Sequence, residues 1–149
     1  MPSSYRALLS GSVVVWLAAL ALSSPAIVRG TSQKVTTNAG VYTKAQADGA
    51  RKQFDKICAD CHPFTVAAKK KPNDLPLGEE PFFESWEGRP LSDMISVIAL
   101  TMPNDGSATV SDQEATDLVA YILQQNGYPA GSKPLTKETA SAVLERPRK

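Results

Sequence analysis

Histidine occurs once in this chain of 149 residues and cysteine only twice. A zinc site wants four ligands drawn mainly from Cys and His, and these three residues leave it one short. Charge of one sign never accumulates: 16 basic residues face 15 acidic ones, for a formal net charge of +1. With no basic stripe, nucleic acid is excluded as a natural partner. Aromatic residues make up 7% of the chain, so the apolar mass available for a core is modest. No segment shows the strict alternation of a strand, and there is no internal repeat. The longest apolar run, Ala7 to Leu22, has 16 residues, fewer than the ~20 that a membrane-spanning helix wants.

That run has the features of an export signal. Arg6 is the only charge before Arg29, and "ALLSGSVVVWLAALALSS" lies between them. A positive start followed by a short apolar stretch with small residues is a cleavable leader, which assigns residues 1–30 to export. Ser24-Pro25-Ala26 and Val28-Arg29-Gly30 both offer cleavage positions. A retained N-terminal membrane anchor is the alternative, and membrane association is expected only in that case. After removal at Gly30, 14 basic residues face 15 acidic ones, for a net of about −1. The mature chain is then expected in the periplasm, an oxidising space.

The mature chain reads as helical. Residues 31–41 are polar, with "TTNAG" as a turn signal, and are expected to form an arm. A helix begins at Thr43, where Thr43 and Gln46 have the spacing of a capping box. Ala47, Ala50, Phe54 and Ile57 make its apolar face. "KKKPNDLPLGEEP" is a long loop, and "FFESWEG" a helical turn ended by Gly88. A second helix runs from about Pro90 to Leu100, with Leu91, Met94, Ile95, Ile98 and Ala99 inward. A third starts at the Ser111/Glu114 capping box and stops at Gly127. Residues 132–149 are polar, with one weak helix over Thr136–Leu144, and are expected to be dispensable. The core domain is thus residues 42–131.

Three short helices and long loops bury little apolar surface, and small domains of this kind usually need a staple, metal or cofactor. A disulfide between Cys58 and Cys61 would close too small a loop to help. Both cysteines and the histidine fall in "CADCH", Cys58 to His62, at the end of an amphipathic helix. In Cys-x-x-Cys-His, two thiols one turn apart add across the vinyl groups of a haem, and the adjacent imidazole lies under the iron. A redox-active dithiol is the competing reading. It expects a thioredoxin-like βαβ unit, for which the chain has no strands.

With "CADCH" in place, the chain resembles class I c-type cytochromes, in particular the monohaem kind associated with bacterial quinoprotein dehydrogenases. The resemblance rests on "GVYTKAQADGARKQFDKICADCH", "LPLGEEPFFESWEG", "LSDMISVIALTMP" and "DLVAYILQQNGYPAG". It implies an all-α, small cytochrome c fold, three to four helices with long loops around one covalent haem c. It also implies that the first and last helices cross through Ala50 and Phe54 against Leu118 and Tyr121. The usual residue at the position of Ala50 is Gly, so neighbouring Gly49 is a candidate helper. His62 is expected to be held by a backbone carbonyl at Pro76. Trp86 and Arg89 are candidates for bonds to haem propionates.

With no second His, the sixth ligand is Met, Lys or water. Met94 sits at core spacing inside a helix and reads as core filler. Met102 stands in a polar loop before Pro103, which biases it away from helical dihedrals. The family's Met-Pro ligand falls on the same residue. His62 and Met102 as axial ligands describe a one-electron carrier without a substrate position. The resemblance implies redox partners such as a quinoprotein dehydrogenase or a terminal oxidase, and "KKK" at Lys69–Lys71 could steer an acidic one. The alternatives are an obligate haem subunit of a periplasmic dehydrogenase or oxidase complex, and a haem enzyme or sensor with an open sixth position.

Overall fold

The computed structural model describes residues 34–148; the leader expected over residues 1–30 lies outside them. Four α-helices follow in order: α1 (Lys44–Ile57), α2 (Glu79–Trp86), α3 (Leu91–Thr101) and α4 (Asp112–Gln125), with single 3₁₀ turns at Thr37–Ala39 and Val66–Ala68. The described residues contain no strand, only two isolated bridges at Val143, and belong to one compact unit. This is the small all-α cytochrome c architecture expected from the sequence. The turn expected at "FFESWEG" is the two-turn helix α2, stopped as expected by left-handed Gly88 (φ 82°).

The core lies between α1 and α4. Ala47, Ala50 and Phe54 of α1 are buried, as are Leu118, Tyr121 and Ile122 of α4. The Phe54 and Tyr121 rings lie 5.1 Å apart, tilted by 54°, a favoured aromatic geometry. The expected pairing across the two helices is therefore present. Gly49 takes no part: a Cβ there meets nothing within 4 Å, so the small residue at the contact is Ala50.

Both helices start as their sequences dictate, with one difference. Ser111 and Glu114 form a reciprocal capping box. Thr43 Oγ1 accepts from the Gln46 N–H, but the Gln46 side chain does not return the bond. Its Nε2 donates instead to Asp117 Oδ1 (2.8 Å) and Leu135 O (2.9 Å), and its Oε1 accepts from the Leu135 N–H (2.8 Å). Tertiary partners thus outbid the local one.

The two ends of the chain require correction. The described part of the expected tail (residues 132–149) belongs to the fold, and the weak helix over Thr136–Leu144 does not form. Leu135, Ala140, Ala142, Val143 and Leu144 are buried. The arm is likewise fastened: Thr37 is buried, its N–H donates to Val143 O (3.0 Å), and the Val143 N–H donates to Val35 O (2.9 Å). Only five apolar residues are involved, too few and too irregularly spaced to register as a helix or strand period.

Candidate functional site

The last turn of α1 runs directly into the Cys-x-x-Cys-His segment. The Cys58 and Ala59 N–H groups both donate to Phe54 O (2.9 and 3.0 Å), while Cys61 and His62 donate to Cys58 O (3.1 and 2.9 Å). These bonds wind Cys58, Cys61 and His62 onto one turn. Neither cysteine is in a disulfide; Cys58 is half-buried and Cys61 exposed. Burial pushes the Cys58 thiol up to about 11, which disfavours the thiolate that redox exchange requires.

His62 is fixed from the loop that follows. Its Nδ1 lies 3.0 Å from Leu75 O. A carbonyl only accepts, so Nδ1 donates, which leaves Nε2 as the ring nitrogen that can bind a metal. The acceptor is Leu75, not Pro76 as expected from the resemblance. The register explains the difference: the Leu75 N–H donates to Cys61 O (3.0 Å) and the Leu77 N–H to Pro63 O (2.8 Å). Alternate residues of this segment face the motif, and Pro76, which has no N–H, lies between them.

Two further residues hold this segment, and sequence reasoning missed both. Asn126 Nδ2 donates to Leu77 O (2.7 Å), tying the end of α4 to the loop. Gly78 packs so closely that a Cβ would stand 2.1 Å from Phe64 O. The glycine in "LPLGEE" was the only signal, and it reads equally well as an ordinary loop residue. Glu79, next to it, takes φ 59°, and its carboxylate accepts from the Val66 N–H (2.7 Å).

Met102 is the C-cap of α3, half-buried and extended (φ −114°, ψ 146°), as Pro103 requires. Met94 is buried in the core, as expected for core filler. Trp86 and Arg89 are together at the end of α2: the guanidinium lies 4.5 Å over the indole and pairs with Asp93 (3.0 Å). A propionate at Arg89 would compete with Asp93. The lysine run is also engaged. Asp60, between the two cysteines, pairs with Lys71 (3.0 Å) and Lys70 (3.8 Å), and Lys69 Nζ donates to Pro72 O (3.0 Å). The Lys71 hydrogen bond and charge hold the Asp60 carboxyl below its usual range. Asp74 accepts from the Lys71 and Lys70 N–H groups, which lowers it likewise. Lys70 and Lys71 thus pair with the motif turn, whereas Lys69 bonds within its own loop.

These residues fit a covalent haem. The thiols are unpaired, the imidazole is oriented with Nε2 free, and apolar side chains stand uncovered in segments on either side. Ile57, Phe64, Leu77, Trp86 and Ile98 are only partly buried. Leu75 and Leu100 are 61% and 82% exposed. Such side chains could pack against an apolar cofactor. No group of three or more Cys, His, Asp or Glu among the described residues could hold a metal ion by itself.

No curated protein matches the chain, and neither does any solved structure. The family model described as cytochrome c oxidase, cbb3-type, subunit III matches residues 45–122. That is just over half of the chain, from the start of α1 to near the end of α4, so the protein belongs to this family of cytochrome c domains, which carry covalently bound haem c and serve haem-based electron transfer.

Proposed function

We propose that the protein is an extracytoplasmic carrier of single electrons, with His62 and Met102 as the axial ligands of its haem iron. The observation that supports this most directly is the His62 ring, held through Nδ1 by Leu75 O with Nε2 left to ligate. When bound, the haem supplies a one-electron couple, whose potential a thioether ligand raises. The chain does the rest. Cys58 and Cys61 would tether the group, Leu75 orients His62, and the half-buried Met102 would ligate the iron and so keep substrates from it. Lys70 and Lys71 pair with Asp60 on the turn that carries both cysteines.

The test is spectroscopic. The purified protein should stain for haem after boiling in detergent with reductant, and the oxidised form should show the weak far-red sulfur-to-iron band. Met102→Ala should abolish that band, lower the reduction potential and admit carbon monoxide or imidazole. Met94→Leu should leave the spectrum unchanged and cost under ~1.5 kcal/mol as a near volume-conserving core change. A band that persists in Met102→Ala but vanishes in Met94→Leu would transfer the role to Met94. Fast carbon monoxide binding by the wild type would replace the carrier with an open-site enzyme or sensor.

A second reading follows from the family's description: a haem subunit of a terminal oxidase complex. Among the described residues no helix is long and apolar enough to cross a membrane. Mass measurement of the exported protein decides between a mature start after Ala26 or Gly30 and a retained anchor. Copurification from detergent extract, with electron delivery to either an oxidase or a quinoprotein dehydrogenase, separates subunit from free carrier and one partner class from the other.

A further inference from the structure

Helix α3 starts without a side-chain cap. Its N-cap is Pro90, which offers no side-chain acceptor, yet the first N–H groups of a helix need partners. They find them in the C-terminal segment: the Leu91 N–H donates to Ala142 O (2.9 Å) and the Ser92 N–H to Ala140 O (2.8 Å). The adjoining corner is bonded in both directions, Gly88 N–H to Leu144 O (2.8 Å) and Leu144 N–H to Arg89 O (2.9 Å). Ala140 and Ala142 are fully buried, so a larger side chain there has no free space.

The same segment grips α2 and the rest of the fold. The Arg146 guanidinium pairs in a fork with Glu80 (2.6 and 2.9 Å), reaches Glu87 (3.0 Å) and covers the Phe83 ring at 4.8 Å. On its other side the segment receives the Thr37 N–H on Val143 O and the Tyr128 hydroxyl on Glu145 O. It therefore fastens α2 and the start of α3 to the N-terminal arm and to the residues after α4.

We infer that residues 140–146 are a positioning strap for the sixth ligand: they cap α3 and hold the α2–α3 corner, and so fix where Met102, at the far end of α3, stands. The inference rests on Met102 being that ligand. Residues 140–146 are then required for sulfur ligation, although they lie outside the 45–122 span that carries the family's likeness.

The test uses full-length, haem-loaded protein. Ala142→Phe wedges a ring beneath the strap, and Arg146→Ala releases α2. Amide hydrogen exchange at Leu91 and Ser92 is compared with that at Val119 and Leu123 of α4, and the sulfur band is followed on warming. In Ala142→Phe, exchange at Leu91 and Ser92 should rise roughly tenfold or more, the α4 amides should change less than about twofold, and the band should be lost at a lower temperature than helical circular dichroism. Arg146→Ala should do the same on a smaller scale, about two- to fivefold, because its ion pairs are solvent-exposed. Equal loosening of α3 and α4, or a band as heat-resistant as in the wild type, overturns the inference. If Ala142→Phe does not fold, Arg146→Ala decides by the same two readouts. A wild type without the band refutes the Met102 reading and the strap's role with it; a wild-type band that both variants leave untouched refutes the strap alone.

Discussion

The α1–α4 pair and the α2–α3 limb share one apolar core and differ in how much main-chain bonding adds to it. α1 and α4 meet through side chains, Ala50 and Phe54 against Leu118 and Tyr121, with Phe64 stacked 5.0 Å from Phe54 as a third ring. The limb also buries side chains, Phe82, Leu91, Met94 and Ile95, but it adds main-chain bonds to the strap at Gly88, Arg89, Leu91 and Ser92. Side-chain packing is strong and diffuse, whereas a main-chain bond is directional and depends on one neighbour being in register. The scaffold should therefore set global stability, and the limb should set the environment of the ligands.

The largest effect should come from the scaffold. Phe54→Ala removes a buried ring touching two others and should cost about 3–5 kcal/mol; denaturant curves followed by helical signal and by haem absorbance should shift together. If the haem signal moves alone, the two regions are not divided as described. Gly78→Ala is the matching blow to the limb. Its Cβ would stand 2.1 Å from Phe64 O, backbone that must move, at about 1–3 kcal/mol. Here the reduction potential and the His62 ring resonances should shift more than the α4 amides do, because the displaced loop carries Leu75 O.

Tyr128 joins the two regions, since its hydroxyl meets the strap and its own carbonyl accepts from Tyr42 Oη (2.7 Å). Tyr128→Phe should cost about 0.5–1.5 kcal/mol at neutral pH. Burial also pushes the Tyr128 phenol up to about 12 from an ordinary 10.0. The unfolded chain thus loses this proton first. The contribution is intact below pH 10 and is lost as pH rises toward 12. Urea unfolding across that range should fall less steeply in Tyr128→Phe than in the wild type; an unchanged slope would show that the phenol is not what titrates. The smallest effect belongs to Gly49→Ala. The position is exposed, helical and free of neighbours, so the substitution should stabilise by about 0.5–1 kcal/mol and leave the spectrum untouched.

The sequence by itself determined the chemistry and the scaffold. Cys58, Cys61 and His62 are consecutive enough that one helical turn brings them together whatever surrounds it. The apolar periods of α1, α3 and α4, the Ser111/Glu114 box and the Gly127 stop are local features that local physics enforces. Met102 before Pro103 was legible for the same reason, because a proline restricts its neighbour directly. What tertiary structure decided depends on partners far away in the chain. Leu75, not Pro76, faces His62 because pairing with Cys61 and Pro63 sets the register. Gly78 matters only because Phe64 O is beside it. Gln46 leaves its capping role because Asp117 and Leu135 offer better bonds. Residues 132–149 look expendable since their sequence offers only one weak helix, yet the main-chain oxygens of Ala140 and Ala142 complete α3. Main-chain hydrogen bonding is nearly independent of side-chain identity, so a segment that binds mainly through its backbone leaves little mark on its own sequence.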